Sequence, residues 1–197
     1  MWPWGHLAVA YLLYTLGYRL RATRPTGRAT VALAVGTQLP DLVDKPLAVV
    51  GVLPAGRSLA HSLLFVVPLA AVAVALATRR GVPQAGWAFA LGVGSHPPAD
   101  AWQALRDGSL DGADYLLWPL RPVSTSGETV GTYVDASREL AASAGPTAGW
   151  DPTGGFGLQL VLFALVGWLW LDAGRPGPDY LRSLVDRAGP WLRGARD

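Results

Sequence analysis

The chain has 197 residues, of which 51% are hydrophobic and 15% charged, with nine tryptophans and no cysteine; its mean hydropathy is +0.28. That composition excludes disulfides, Cys-rich zinc knuckles and thiol chemistry, so any metal site must draw on His, carboxylate, backbone or water. The formal net charge is +2, and the arginines fringe apolar stretches instead of forming a basic face, so no nucleic-acid partner is expected.

Residues 1–197 read as a single membrane domain, in which each crossing needs roughly 20 mostly apolar residues. Trp2 to Leu20 is the first such stretch. It has no basic region before it and no small-residue cleavage site after it, so it reads as a span and not as a signal peptide. Ala29 to Leu53 is the second, interrupted by Pro40-Asp41-Leu42-Val43-Asp44-Lys45-Pro46. Ser58 to Ala77 is the third, ending at Arg79-Arg80, and Pro83 to Leu105 is the fourth, with His96-Pro97-Pro98 predicting a kink or a restart. Residues 106–153 are polar and read as an extramembrane segment. Phe156 to Leu171 is a short fifth span, and the tail, 175–197, holds a candidate surface helix at Asp179 to Trp191. The fold class expected is all-α: a polytopic helix bundle of about five spans, with spans two and four broken.

Eleven of the arginines, but only four of the acids, fall in the loops at 19–28 and 79–80 and in the tail after 171. The positive-inside rule places that side in the cytoplasm. The chain is thus expected in the cytoplasmic (inner) membrane as a multi-pass protein, with its N-terminus outside and its C-terminus in the cytoplasm. This topology has a consequence for the three histidines. His6, Asp41, Asp44, His61, His96 and Asp100 all fall at one depth, towards the outer face. Ionisable groups in apolar segments are costly and usually mark a functional site.

Asp41 and Asp44 are three residues apart, which fits two carboxylates on one ion or two, and equally a turn capping the next half-helix. Arg57 and His61 are four apart and share a face on a helix; His61 is a candidate ligand and Arg57 a candidate anion clamp. His96 and Asp100 have the same spacing, although the intervening prolines complicate a shared face. His6, flanked by Trp2 and Trp4, is weak alone and gains its value from the other five. No phosphate-binding loop, no His-Glu-x-x-His and no dinucleotide fingerprint occurs.

The order of these motifs carries a resemblance. Gly5-His6 is followed by Gly-x-x-x-Pro-Asp-x-x-Asp (Gly36 to Asp44), Arg-x-x-x-His-Ser (Arg57 to Ser62), Gly-x-x-Ser-His-x-x-x-Asp (Gly92 to Asp100) and Leu-Leu-Trp-Pro-Leu (Leu116 to Leu120). The set resembles the membrane-bound metal-dependent hydrolases, also described as LexA-binding, inner-membrane-associated hydrolases, over roughly residues 5 to 120. More distantly it is similar to part of the zinc-dependent phospholipase C ligand set. That likeness implies one site from Asp41 or Asp44 with His61, His96 and Asp100, and a second begun by His6 with Asp100. Gly56 stands where many members have a His, and Pro97-Pro98 replaces an aliphatic pair. The residues of a third zinc have no counterpart, so a three-zinc enzyme is not expected.

The function expected is metal-dependent hydrolysis, with one or two divalent ions, Zn²⁺ first, acting on a phosphoester at the outer membrane surface. Phospholipid is the natural substrate for a site at headgroup depth. Metal ligands are drawn from His6, Asp41, Asp44, His61, His96 and Asp100; Arg57 orients the phosphate, and Asp44, if not a ligand, is the candidate general base. The alternatives are a divalent-metal or proton-coupled transport protein and a non-catalytic scaffold stapled by its metal.

Overall fold

A computed structural model describes residues 3–106, 112–124, 129–143 and 155–194. The described residues form helices and no strands: α1 (Pro3–Leu20), α2 (Gly27–Val49), α3 (Leu63–Arg79), α4 (Pro83–Arg106), a 3-10 turn (Asp114–Leu117), α5 (Val130–Ser143), α6 (Gly155–Asp172) and α7 (Pro178–Gly194). The all-α expectation holds. The candidate surface helix of the tail is α7, whose start packs on α2: the guanidinium of Arg28 lies over the Tyr180 ring at 5.5 Å. Much of the polar 106–153 segment lies outside the described residues, including Asp111 and Asp151, as does Trp2.

Local chemistry sets the helix ends. Thr26 caps α2 by accepting from the Ala29 N–H at 3.2 Å, and Ser62 caps α3 by accepting from the Leu64 N–H at 3.2 Å. Gly81 takes φ +72°, a left-handed conformation that costs an L residue but not glycine, and it turns the chain from α3 into α4.

The core is a cluster of Ala10, Tyr11, Tyr14 and Tyr18 from α1, Ala29 and Leu33 from α2, Ala88 from α4 and Leu169 from α6. Beside it, α2 and α4 approach backbone to backbone. A Cβ on Gly36 would meet the Phe89 carbonyl oxygen, and one on Gly92 would meet that of Leu33. Only glycine permits this approach, and it locks the two helices that carry four of the six candidate ligands.

Two expectations are corrected. The breaks predicted at Pro40–Pro46 and Pro97–Pro98 do not occur; α2 and α4 run through their prolines as continuous helices. A proline removes one intrahelical donor and crowds the preceding turn; the close α2–α4 packing outweighs this. The third stretch does not begin at Ser58 either. Residues 50–62 form an irregular segment, and α3 starts at Leu63, because the backbone N–H groups of Ser58, Ala60 and His61 bond a carboxylate and not helix carbonyls.

Among the described residues, no helix is both long and apolar enough to cross a membrane. α3 ends after 17 residues, α2 carries Asp41, Asp44 and Lys45 within it, and α4 carries His96 and Asp100. The outer faces are nevertheless apolar, with Leu13 and Leu16 on α1, Val67 and Val72 on α3, and Val161 and Trp168 on α6 all exposed.

Candidate metal centre

Four segments deliver the site. His6 comes from the first turn of α1, Asp41, Asp44 and Lys45 from the C-terminal half of α2, Arg57 and His61 from the irregular segment, and His96 and Asp100 from the C-terminal half of α4. His6, His61, His96 and Asp44 are all essentially inaccessible. All six expected ligand residues therefore lie in one buried cluster.

They do not play equal parts. Asp44 faces the irregular segment. One oxygen accepts from the Ala60 N–H at 2.9 Å; the other accepts from the Ser58 N–H at 2.8 Å and lies 2.8 Å from His61 Nδ1. A carboxylate can only accept, so the proton of a neutral His61 sits on Nδ1 and the lone pair on Nε2. His96 is oriented in the same way by a different group: its Nδ1 lies 2.6 Å from the Thr37 carbonyl oxygen, again leaving Nε2 as the lone-pair atom.

Both Nε2 atoms point into a common centre with two carboxylates. His61 Nε2 lies 3.5 Å from Asp41 Oδ1 and 3.6 Å from Asp100 Oδ2. His96 Nε2 lies 3.7 Å and 3.9 Å from the same two oxygens. The four donors thus alternate, imidazole and carboxylate, around a ring. Ligands of a tetrahedral ion at roughly 2.0–2.1 Å would be about 3.3 Å apart, a little closer than these four spacings. Among the described residues neither Nε2 has a hydrogen-bond partner, although both are buried. Orphaned buried acceptors are costly and call for an occupant.

His6 extends the cluster on the α1 side. Its ring stacks on that of His96 at 3.8 Å, and its Nε2 lies 3.2 Å from Asp100 Oδ1. Donor atoms of His6, His96 and Asp100 lie within 4.8 Å of one another, as do those of Asp41, His61 and His96. Asp100 therefore turns one oxygen to His6 and the other to the ring of four.

The supporting groups were less visible in the sequence. Lys45 Nζ holds Asp41 Oδ2 at 2.7 Å, which leaves Oδ1 for the centre; the i, i+4 spacing was its signal. Thr37 acts through its carbonyl, and a backbone group leaves no sequence signal. Tyr115 donates to the Pro97 carbonyl at 3.1 Å and sets its ring edge-on to His61. Burial, then the nearby Asp100 carboxylate, pushes that phenol's pKa up, so it stays a donor. Ser62 Oγ donates to the Trp118 carbonyl at 2.6 Å, tying the Leu116–Leu120 motif to the site. Arg57 bonds Asp100 Oδ2 through Nε at 2.9 Å and is half exposed; its two terminal nitrogens make no bond among the described residues.

No curated protein and no solved structure matches the chain. One family does, described as YdjM inner membrane protein, over residues 1–175. That match takes in every helix of the bundle from α1 to α6 and all six residues of the cluster, so this chain is a member of the YdjM inner membrane protein family.

Proposed function

We propose that this protein is a metal-dependent hydrolase of a phosphoester, with phospholipid the favoured substrate, working at the outer surface of the inner membrane. The observation that carries the reading is the ring of Asp41, His61, Asp100 and His96 with its two orphaned Nε2 atoms. Two imidazoles and two carboxylates suit Zn²⁺ first among divalent ions, and the His6 side of Asp100 offers room for a second. Such an ion, when bound, lowers the pKa of water and polarises a phosphoryl oxygen.

The chain's own residues do the rest. Asp44 and Thr37 fix the two imidazoles in the ligating tautomer. Lys45 fixes Asp41, which at 11% side-chain exposure is the ligand closest to solvent. Arg57, anchored through Nε, keeps its terminal nitrogens for a phosphate oxygen. Asp44 has both oxygens engaged by the segment it anchors, which favours a positioning role for it over a general base. In the membrane reading, the apolar faces of α1, α3 and α6 meet lipid, with the N-terminus and the site outside and the C-terminus in the cytoplasm.

A second reading, the metal as a staple between helices, is favoured by the complete burial of His61 and His96. One experiment separates the two. Purified protein is loaded with Zn²⁺ and assayed on a chromogenic phosphodiester and on phospholipid vesicles, with and without chelator, beside Arg57→Ala. Loss of a preorganised charge contact at a transition state costs about 100-fold or more in rate. The hydrolase reading expects chelator-sensitive turnover, and Arg57→Ala retaining its metal while losing most activity. A metal-loaded wild type without turnover would establish the staple.

A further inference from the structure

We propose that a groove between α1 and α4, at the opposite end of the bundle from the metal centre, binds one anionic phospholipid. The phosphate would sit on Arg21 and Arg24 and an acyl chain along Tyr14, Tyr18, Trp87 and Leu91. The groove encloses about 730 Å³, within the range of roughly 300–1,000 Å³ of sites built for organic ligands. His6 and Tyr18 are twelve residues apart on α1, about 18 Å at the helical rise, so this groove shares nothing with the ligand cluster and stands whether or not the hydrolase reading does.

Charge selects the occupant. Several arginines of this chain are matched to an acid: Arg19 with Asp172 at 2.7 Å, Arg57 with Asp100, Arg121 with Asp114 and Arg182 with Asp179. Among the described residues Arg21 and Arg24 are not. Arg21 has a single long bond of 3.4 Å to the Gly17 carbonyl, and the Arg24 guanidinium has no bond among the described residues. Asp172, which lines a neighbouring cavity with Arg24, is already held by Arg19. Two exposed, unmatched guanidiniums stand at one end of an apolar trough. A free phosphate would use the arginines and leave the apolar walls wet, whereas a neutral lipid would use the walls and leave the charges unmatched. An anionic phospholipid uses both, and a member of an inner-membrane family is surrounded by them.

Trp87, 66% exposed in the groove wall, provides the probe. Full-length protein in nonionic micelles is titrated with phosphatidylglycerol brominated on its acyl chains, which quenches tryptophan on contact. The expected result is saturable quenching that is lost in Trp87→Phe. In Arg21→Ala/Arg24→Ala the midpoint should move on the order of 30-fold, from the usual worth of two basic residues near an anionic surface. Arg21→Lys/Arg24→Lys keeps the charge and should bind close to wild type, which guards against a merely misfolded double variant. Equal midpoints for brominated phosphatidylcholine, an unchanged midpoint in the alanine variant, or displacement of the lipid by inorganic phosphate at matched concentration would each overturn the proposal.

Discussion

His61 Nδ1 and Asp44 Oδ2 lie 2.8 Å apart, both side chains fully buried, while the same carboxylate takes backbone N–H bonds from Ser58 and Ala60. One side chain thus folds the irregular segment and aims its histidine. Asp44→Asn keeps the size but turns an amide NH₂ towards existing donors. Metal affinity should fall 10–100-fold, as for other groups that orient a ligand. The melting temperature should fall too, because each buried donor left unpaired costs about 1–3 kcal/mol. Competition against a chromophoric chelator measures the first effect and thermal unfolding the second. Wild-type affinity in the Asn variant would mean that Asp44 does not act through His61.

The charge state of His61 predicts opposite pH dependences with and without metal. Burial pulls its pKa down, but the carboxylates of Asp41 and Asp44 outweigh this and hold it above the ordinary value of 6.5. In metal-free protein this group's contribution to stability is fully present below the unfolded value and is lost as pH rises through the raised folded value. Metal binding needs the neutral imidazole and so strengthens over the same rise. Unfolding curves between about pH 6 and 8 should show the stabilisation by Zn²⁺ growing with pH. A metal increment that stays flat across this window would remove His61 from the ligand set.

Metal should stabilise the fold and chelator should reverse it. At a free metal concentration of 100 Kd the gain is about 2.7 kcal/mol. His96→Ala and Asp100→Ala should lose that increment, whereas Trp87→Phe, at the other end of the bundle, should keep it. The readout is the shift in melting temperature on adding Zn²⁺. If His96→Ala retained the full shift, the ring of four donors would not be the binding site.

Topology is tested by reporter fusions at Gly27, Gly81 and Ser126. The expected pattern is cytoplasmic for Gly27 and Gly81 and external for Ser126. Finding Gly81 and Ser126 on the same side would rule out the proposed arrangement of spans.

The sequence made the cluster of His and Asp residues legible because the chain has only three histidines, and each stands in or beside an apolar stretch where an unsatisfied imidazole is costly. The spacings Arg57–His61 and His96–Asp100 suggested shared helical faces. For His96 and Asp100 this was right in spite of the prolines. Arg57 and His61, however, reach the cluster from irregular backbone, because Asp44 captures the N–H groups a helix would have used. The continuity of α2 and α4 could not be read, since proline rules are local and the packing that overrides them is not. Lys45 was visible but unassigned, and the Thr37 carbonyl left nothing to see.

Gly36 and Gly92 give the helix pair a fixed origin from which the site is measured. Asp41 stands five residues beyond one contact point and His96 four beyond the other. Each residue of helix advances about 1.5 Å and turns about 100°. A one-residue insertion after Gly92 would leave the crossing intact and swing the imidazole out of the centre. Within this family the intervals Gly36–Asp41 and Gly92–His96 should therefore tolerate changes of side chain far better than changes of length.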